Sequence, residues 1–110
     1  MSITTHVLDV ARGRPAAGMG VLLSVRSGDG WRELARASTD ADGRARFDGT
    51  GPHEVAAYRL RFETGDWFRG SDLDGFWPHV EIAFDVVESA DHHHVPLLLS
   101  PYGYSTYRGS

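Results

Sequence analysis

Two stretches of strict two-residue alternation constrain this chain most. Tyr58, Leu60 and Phe62 alternate with Arg59, Arg61 and Glu63, and Val80, Ile82, Phe84 and Val86 alternate with Glu81, Ala83 and Asp85. A strand puts successive side chains on opposite faces, so each run reads as a half-buried β-strand. The 13 glycines and 5 prolines are scattered along the chain, which implies turns between short elements and no internal linker. Val21–Arg26 and Trp31–Ser38 flank Ser27-Gly28-Asp29-Gly30, the pattern of a β-hairpin. Ile3–Val10, His92–Leu99 and Tyr102–Tyr107 are rich in β-branched or aromatic residues and complete a set of seven strands. Arg44–Phe47, after the Asp42-Gly43 turn, supplies an eighth. Short strands at this spacing in a chain of 110 residues predict one all-β domain over residues 1–110, an eight-stranded two-sheet β-sandwich. The helical signal is slight. Ser71 reads as an N-cap with Asp74 three residues later, and Pro78 stops whatever follows Trp77, so one short helix is expected there. Pro96 lies inside a strand without an N–H to give, which predicts a bulge or a missing ladder bond.

Composition narrows the chemistry. Cysteine is absent, which removes disulfides, thiolate metal sites and a cysteine nucleophile. All 11 cations are arginine, so Schiff-base chemistry and a phosphate-loop lysine are excluded, and any cationic site must use guanidinium. A net charge of −4 with no basic run argues against nucleic acid as a partner. The longest apolar run, Val95 to Leu99, falls far short of the ~20 residues a membrane span needs. No secretory pattern or anchoring segment is visible, so a soluble cytoplasmic protein is expected.

The histidines are the residues most able to carry chemistry. His92, His93 and His94 are consecutive, and alternation puts His92 and His94 on one face with Pro96 and Leu98, and His93 on the other with Val95 and Leu97. A His-x-His pair with His6 as a third ligand and a water could complete an open zinc site. No carboxylate or third histidine stands at a motif spacing, so a solvated strand end is the plainer reading, and no metal is expected. If Thr5 and Val7 face the core, His6 looks outward. Arg44 follows Gly43 at a turn, where an arginine is ordinarily a surface cation unless an anionic or carbonyl ligand lies near. His53 and His79 read as loop residues. The chain end carries Tyr102, Tyr104 and Tyr107 at strand spacing, which predicts an ordered terminus rather than a frayed one.

The stretch His94-Val-Pro-Leu-Leu-Leu-Ser-Pro-Tyr-Gly-Tyr-Ser-Thr-Tyr-Arg-Gly-Ser110 resembles the signature of the transthyretin-like 5-hydroxyisourate hydrolases. His6-Val-Leu-Asp9 and Thr39-Asp-Ala-Asp-Gly-Arg44 resemble the family's two other motifs, in the same order, and the likeness covers nearly the whole chain. The resemblance implies a transthyretin/prealbumin-like sandwich with a short helix before the sixth long strand. It also implies assembly as a homotetramer, a dimer of dimers whose central channel holds the active sites. The implied reaction is hydrolysis of a cyclic amide in 5-hydroxyisourate, giving 2-oxo-4-hydroxy-4-carboxy-5-ureidoimidazoline in urate catabolism, without a cofactor. The implied catalytic residues are His6, Arg44, His94 and Ser110. Substrate contacts are implied for His6, Arg44, Tyr107, Arg108, Gly109 and Ser110. His92 and His93 receive no role. The alternative is a channel-binding carrier of the transthyretin type, a branch that lacks the catalytic histidines and the Tyr-Arg-Gly-Ser ending.

Overall fold

The computed structural model describes residues 2–47, 54–88 and 91–110, and His53 lies outside the described residues. Among the described residues, nine strands and one helix follow in the order β1 (Ile3–Asp9), β2 (Arg14–Pro15), β3 (Gly20–Ser27), β4 (Gly30–Ser38), β5 (Arg44–Phe47), β6 (Ala56–Phe62), α1 (Thr64–Gly70), β7 (Val80–Val86), β8 (His93–Ser100) and β9 (Gly103–Thr106). Eight of them are the strands expected from the sequence. The two-residue β2 is additional and pairs with Leu8 and Asp9. The strands form two sheets. In one, β9, β8 and β1 lie side by side, and β5 and β2 share the far edge of β1. The other runs β4-β3-β6-β7.

The alternation does what it implies. Tyr58, Leu60 and Phe62 are buried on β6, opposed across the sandwich by Ile3, Val7, Leu97 and Leu99. β8 has five of its eight residues buried and the other three half-buried, as an interior strand parallel to β1 on one side and antiparallel to β9 on the other. The β3–β4 hairpin closes at Ser27↔Gly30, with Gly28 at φ 60 in the left-handed region that a tight turn needs.

The helix is not where Ser71 predicted. It occupies Thr64–Gly70, and Ser71 is its C-cap rather than its N-cap. Asp72 takes a left-handed φ of 56, Asp72 N–H donates to Arg69 O at 3.3 Å, and Leu73 N–H donates to Phe68 O at 3.1 Å. That is a Schellman ending built without glycine, which hid it from a sequence reading. At the other end Gly65 N–H donates to Pro78 O at 3.0 Å, and a Cβ on Gly65 would come within 2.6 Å of the same oxygen. Contact with Pro78, not a side-chain cap, therefore starts the helix.

Pro96 leaves the mark expected of it, on one side only. Its pairing with β1 is continuous through His6↔Pro96. On the β9 side the ladder stops at Leu97↔Thr106 and resumes at His94↔Gly109, so the two steps around the proline are unpaired. Thr106 Oγ1 donates to Pro96 O at 2.7 Å and holds the strands together across the gap. No helix among the described residues is long and apolar enough to cross a membrane.

Candidate active site

Packing of one strand decides which side chains meet. Ile3, Thr5 and Val7 of β1 are fully buried, so Thr4 and His6 must face the other way. Register then adds neighbours on that outer face. Thr4 lies between Arg46 of β5 and His94 of β8, and His6 lies between Arg44 and Pro96.

The turn ahead of β5 is built to present Arg44. Asp40 Oδ1 accepts from Asp42 N–H at 2.9 Å and Arg44 N–H at 3.0 Å, and Asp40 N–H donates to Arg44 O at 2.8 Å. Gly43 turns at φ 78, where a Cβ would overlap Val7 O and stand 3.1 Å from Pro15 Cβ. Below the turn Thr39, itself buried, donates to Ala16 O at 2.7 Å and accepts from Met19 N–H at 2.9 Å. The Arg44 N–H bond is the chief cause holding the Asp40 carboxyl below the usual carboxylate range, with the Asp42 N–H and the charges of Arg44 and His6 adding to it against desolvation.

Four separated stretches converge on an open cleft of about 460 Å³ lined by Thr4, Arg44, Arg46, His92, His94 and Ser110, with Asp40 on its wall. His94 Nδ1 is 2.8 Å from Thr4 Oγ1, which also lies 3.3 Å from His92 Nε2. Burial, then the positive charge of Arg44, then His92 and His6, push the His94 imidazolium pKa below its ordinary value, against a hydrogen bond that the ring gives to the Thr4 backbone. The shift favours the neutral ring, the form that can accept a proton.

His6 stands beside the cleft. Its Nε2 lies 2.8 Å from Asp42 O, and because a carbonyl only accepts, Nε2 carries the hydrogen and Nδ1 of the neutral ring keeps its lone pair. The resumed pairing at His94↔Gly109 carries Ser110 into the cleft. Gly109 fits because it has no side chain, since a Cβ there would overlap His94 Cδ2. Tyr107 and Arg108 do not reach the cleft. They line a second hollow of about 340 Å³ with Ile82, Phe84 and His93, and His94 forms a wall of both.

The zinc arrangement of His6, His92 and His94 is not formed. Among the described residues no three histidines or carboxylates are grouped to hold a metal ion, and the His92 and His94 rings lie nearly parallel, 6.4 Å apart, instead of converging. His93 is a core residue at 4% exposure, packed near Phe84. His79 lies in the irregular segment before β7, 3.8 Å from the Glu81 carboxylate. Thr4, Asp40, Arg46 and His92 are members of the cleft that sequence reasoning gave no part. Thr4 could have been found, since it shares its strand face with His6 two residues on.

The profile of the HIUase/Transthyretin family matches residues 3–109. A 5-hydroxyisourate hydrolase of Caulobacter vibrioides is 52% identical over 98% of this chain and 97% of its own length. Among solved structures, 5-hydroxyisourate hydrolase of Klebsiella pneumoniae superposes with a TM-score of 0.87 at 38% identity, covering 100% of both chains. Sea bream transthyretin in complex with thyroxine superposes with a TM-score of 0.89 at 28% identity, over 97% of this chain and 93% of that one.

Proposed function

This chain belongs to the HIUase/Transthyretin family, and from that premise we propose that it is a hydrolase that converts 5-hydroxyisourate to 2-oxo-4-hydroxy-4-carboxy-5-ureidoimidazoline. The observation that carries the reading is the meeting of the His94 imidazole with Arg44 and Ser110 in one cleft. Water is a poor nucleophile and an amide nitrogen a poor leaving group, so the reaction needs a base, an acid and a donor for the developing oxyanion. His94 takes the proton from water and returns it to the leaving nitrogen. Arg44 offers a planar donor fork to the carbonyl-rich ring and to the charge that forms on it. His6, its tautomer set by Asp42 O, offers Nδ1 to hold the water or the ring. Ser110 positions substrate through its hydroxyl and backbone groups, and no covalent seryl step is needed. No metal or organic cofactor takes part in this scheme.

We assign the working form to a homotetramer, a dimer of dimers. Tyr102, Tyr104 and Tyr107 are exposed near the chain end, and the hollow lined by Tyr107 and Arg108 opens beside the cleft, so a neighbouring subunit can bring those two side chains to a shared site. Light scattering should give about four times the 12.1 kDa chain mass, and a fully active monomer would reject this assembly.

The test of the reaction is the ultraviolet decay of freshly generated 5-hydroxyisourate with and without protein, spontaneous decay serving as baseline. Acceleration is expected, and His6→Ala should remove at least ~10²-fold of it with the fold intact. Ligand binding without acceleration would establish the carrier reading instead.

A further inference from the structure

His92 lies in the cleft with no task in the hydrolysis as described above. Its ring is nevertheless tied to His94 through one atom. Thr4 Oγ1 is 2.8 Å from His94 Nδ1 and 3.3 Å from His92 Nε2, and His92 Nδ1 is bonded in turn to Ser2 Oγ. We infer that Thr4 is a positioning residue and that Thr4 and His92 form a proton relay behind His94, an inference that rests on the hydrolase reading.

Donor counting gives the relay one self-consistent direction. For His94 to act as a base through Nε2, Nδ1 must carry the hydrogen and donate it to Thr4 Oγ1. The Thr4 hydroxyl has a single hydrogen, which is then free for His92 Nε2. His92 Nδ1–H completes the chain by donating to Ser2 Oγ. Each member gives one hydrogen and accepts one, apart from the two ends.

Surroundings give the relay a reason. The titratable groups around His94 are Arg44 and Arg46 from β5, Asp40 from the turn ahead of it and His92, all in the cleft, and His6 from β1 beside it. Across the second hollow stand Asp85 of β7 and Arg108. A half-buried imidazolium at His94 would sit against the Arg44 cation, whereas His92 is exposed to water. When Nε2 of His94 takes a proton from water, Nδ1 releases its own to Thr4 Oγ1 and the Thr4 hydrogen passes to His92 Nε2. One proton has left the water, His92 holds one positive charge, and His94 is neutral with its hydrogen now on Nε2. The reverse shift lets that hydrogen go to the leaving nitrogen without forming an imidazolate.

Thr4→Val removes the hydroxyl at nearly constant volume, and Thr4→Ser keeps it. Expected for Thr4→Val is a fall in kcat of about 10- to 100-fold with KM within about twofold, and for Thr4→Ser a kcat within about threefold of the parent. His92→Ala should lose about tenfold in kcat and regain it in imidazole buffer. Nitrogen-15 spectra of the His94 ring above its titration supply a readout independent of turnover. The parent should show the Nδ1–H tautomer and Thr4→Val should shift to Nε2–H. A relay is overturned by an unchanged tautomer in Thr4→Val, by equal losses in Thr4→Val and Thr4→Ser, or by full activity of His92→Ala across the pH range. A parent protein that fails to speed 5-hydroxyisourate decay defeats the hydrolase reading, and the tautomer measurement then decides the hydrogen-bond chain by itself. If Thr4→Val does not fold, Thr4→Ser and His92→Ala decide it.

Discussion

Replacing Gly109 by alanine tests the site where its geometry is tightest. The Gly109 N–H donates to His94 O at 2.8 Å, which brings the glycine Cα against the imidazole. An added Cβ would overlap His94 Cδ2 and stand 3.0 Å from Cγ and 3.2 Å from Cβ of the same side chain. Unstrained carbon contacts lie at about 3.5–4.0 Å, so roughly 1–1.5 Å must open at Cδ2. Backbone strain plays no part, because Gly109 does not lie in the left-handed region. Relief can come from rotation of the imidazole away from Thr4 or from a swing of Gly109-Ser110 out of the cleft, and either moves a working group by about the distance that costs ~10²-fold in rate. Stability should barely respond, since the terminus is joined by one bridge and surface changes of this kind stay within about 0.5 kcal/mol. The assay is kcat/KM on freshly generated 5-hydroxyisourate beside a thermal melt. Gly103→Ala is the control, because its Cβ would meet only Ser100 Oγ at 3.7 Å. A Gly109→Ala enzyme within about threefold of the parent would refute the reasoning.

Thr39→Val should be a stability variant. It leaves the Ala16 carbonyl and the Met19 amide unsatisfied in a buried site, at about 1–3 kcal/mol each, and calorimetry should show Tm lower by about 10 °C or more. The depressed His94 pKa keeps the base form present below the ordinary imidazole value of 6.5, so the acid limb of kcat/KM should begin below that pH. Arg44→Gln should move the limb upward as it lowers the rate, and an unmoved limb would dissociate Arg44 from the titration. The same sign governs folding: the unfolded chain binds the His94 proton more tightly, so this contribution is complete above pH 6.5 and is lost as pH falls through the lower folded value, which denaturant titrations across that range can follow. Prolonged dialysis against a chelator should leave turnover unchanged, measured with the same decay assay, and activity lost to the chelator and restored by zinc would overturn the cofactor-free mechanism.

The fold was legible where alternation is strict and turns carry glycine, as at β6, β7 and the β3–β4 hairpin. It was illegible at α1, because the helix ends on a left-handed aspartate, Asp72, and begins on contact with Pro78, neither of which leaves a local sequence mark. The site divides in the same way. Alternation put His6 opposite Thr5 and Val7, and His94 opposite His93 and Val95, but only the parallel register Thr4↔His94 shows that a threonine stands between the histidines of β8 and the arginines of β5. Period two names a face and says nothing about which strand lies alongside.

Register is also what joins the core to the chemistry. Thr5 and Val7 are fully buried, and Thr5 Oγ1 donates to Val95 O at 2.6 Å, which pins β1 against β8 residue for residue. A slip of one residue would turn Thr5 and Val7 outward, strand that hydroxyl, and carry Thr4 and His6 into the apolar interior. The burial that stabilises the sandwich is therefore the same constraint that holds Thr4 beside His94 and His6 beside Arg44. Core variants that loosen β1 without unfolding it, such as Val7→Ala, should accordingly lower kcat as well as Tm, although Val7 does not line the cleft. Loss of stability at full kcat would show that the turn at Asp40 and Gly43 holds the site in register without help from the core.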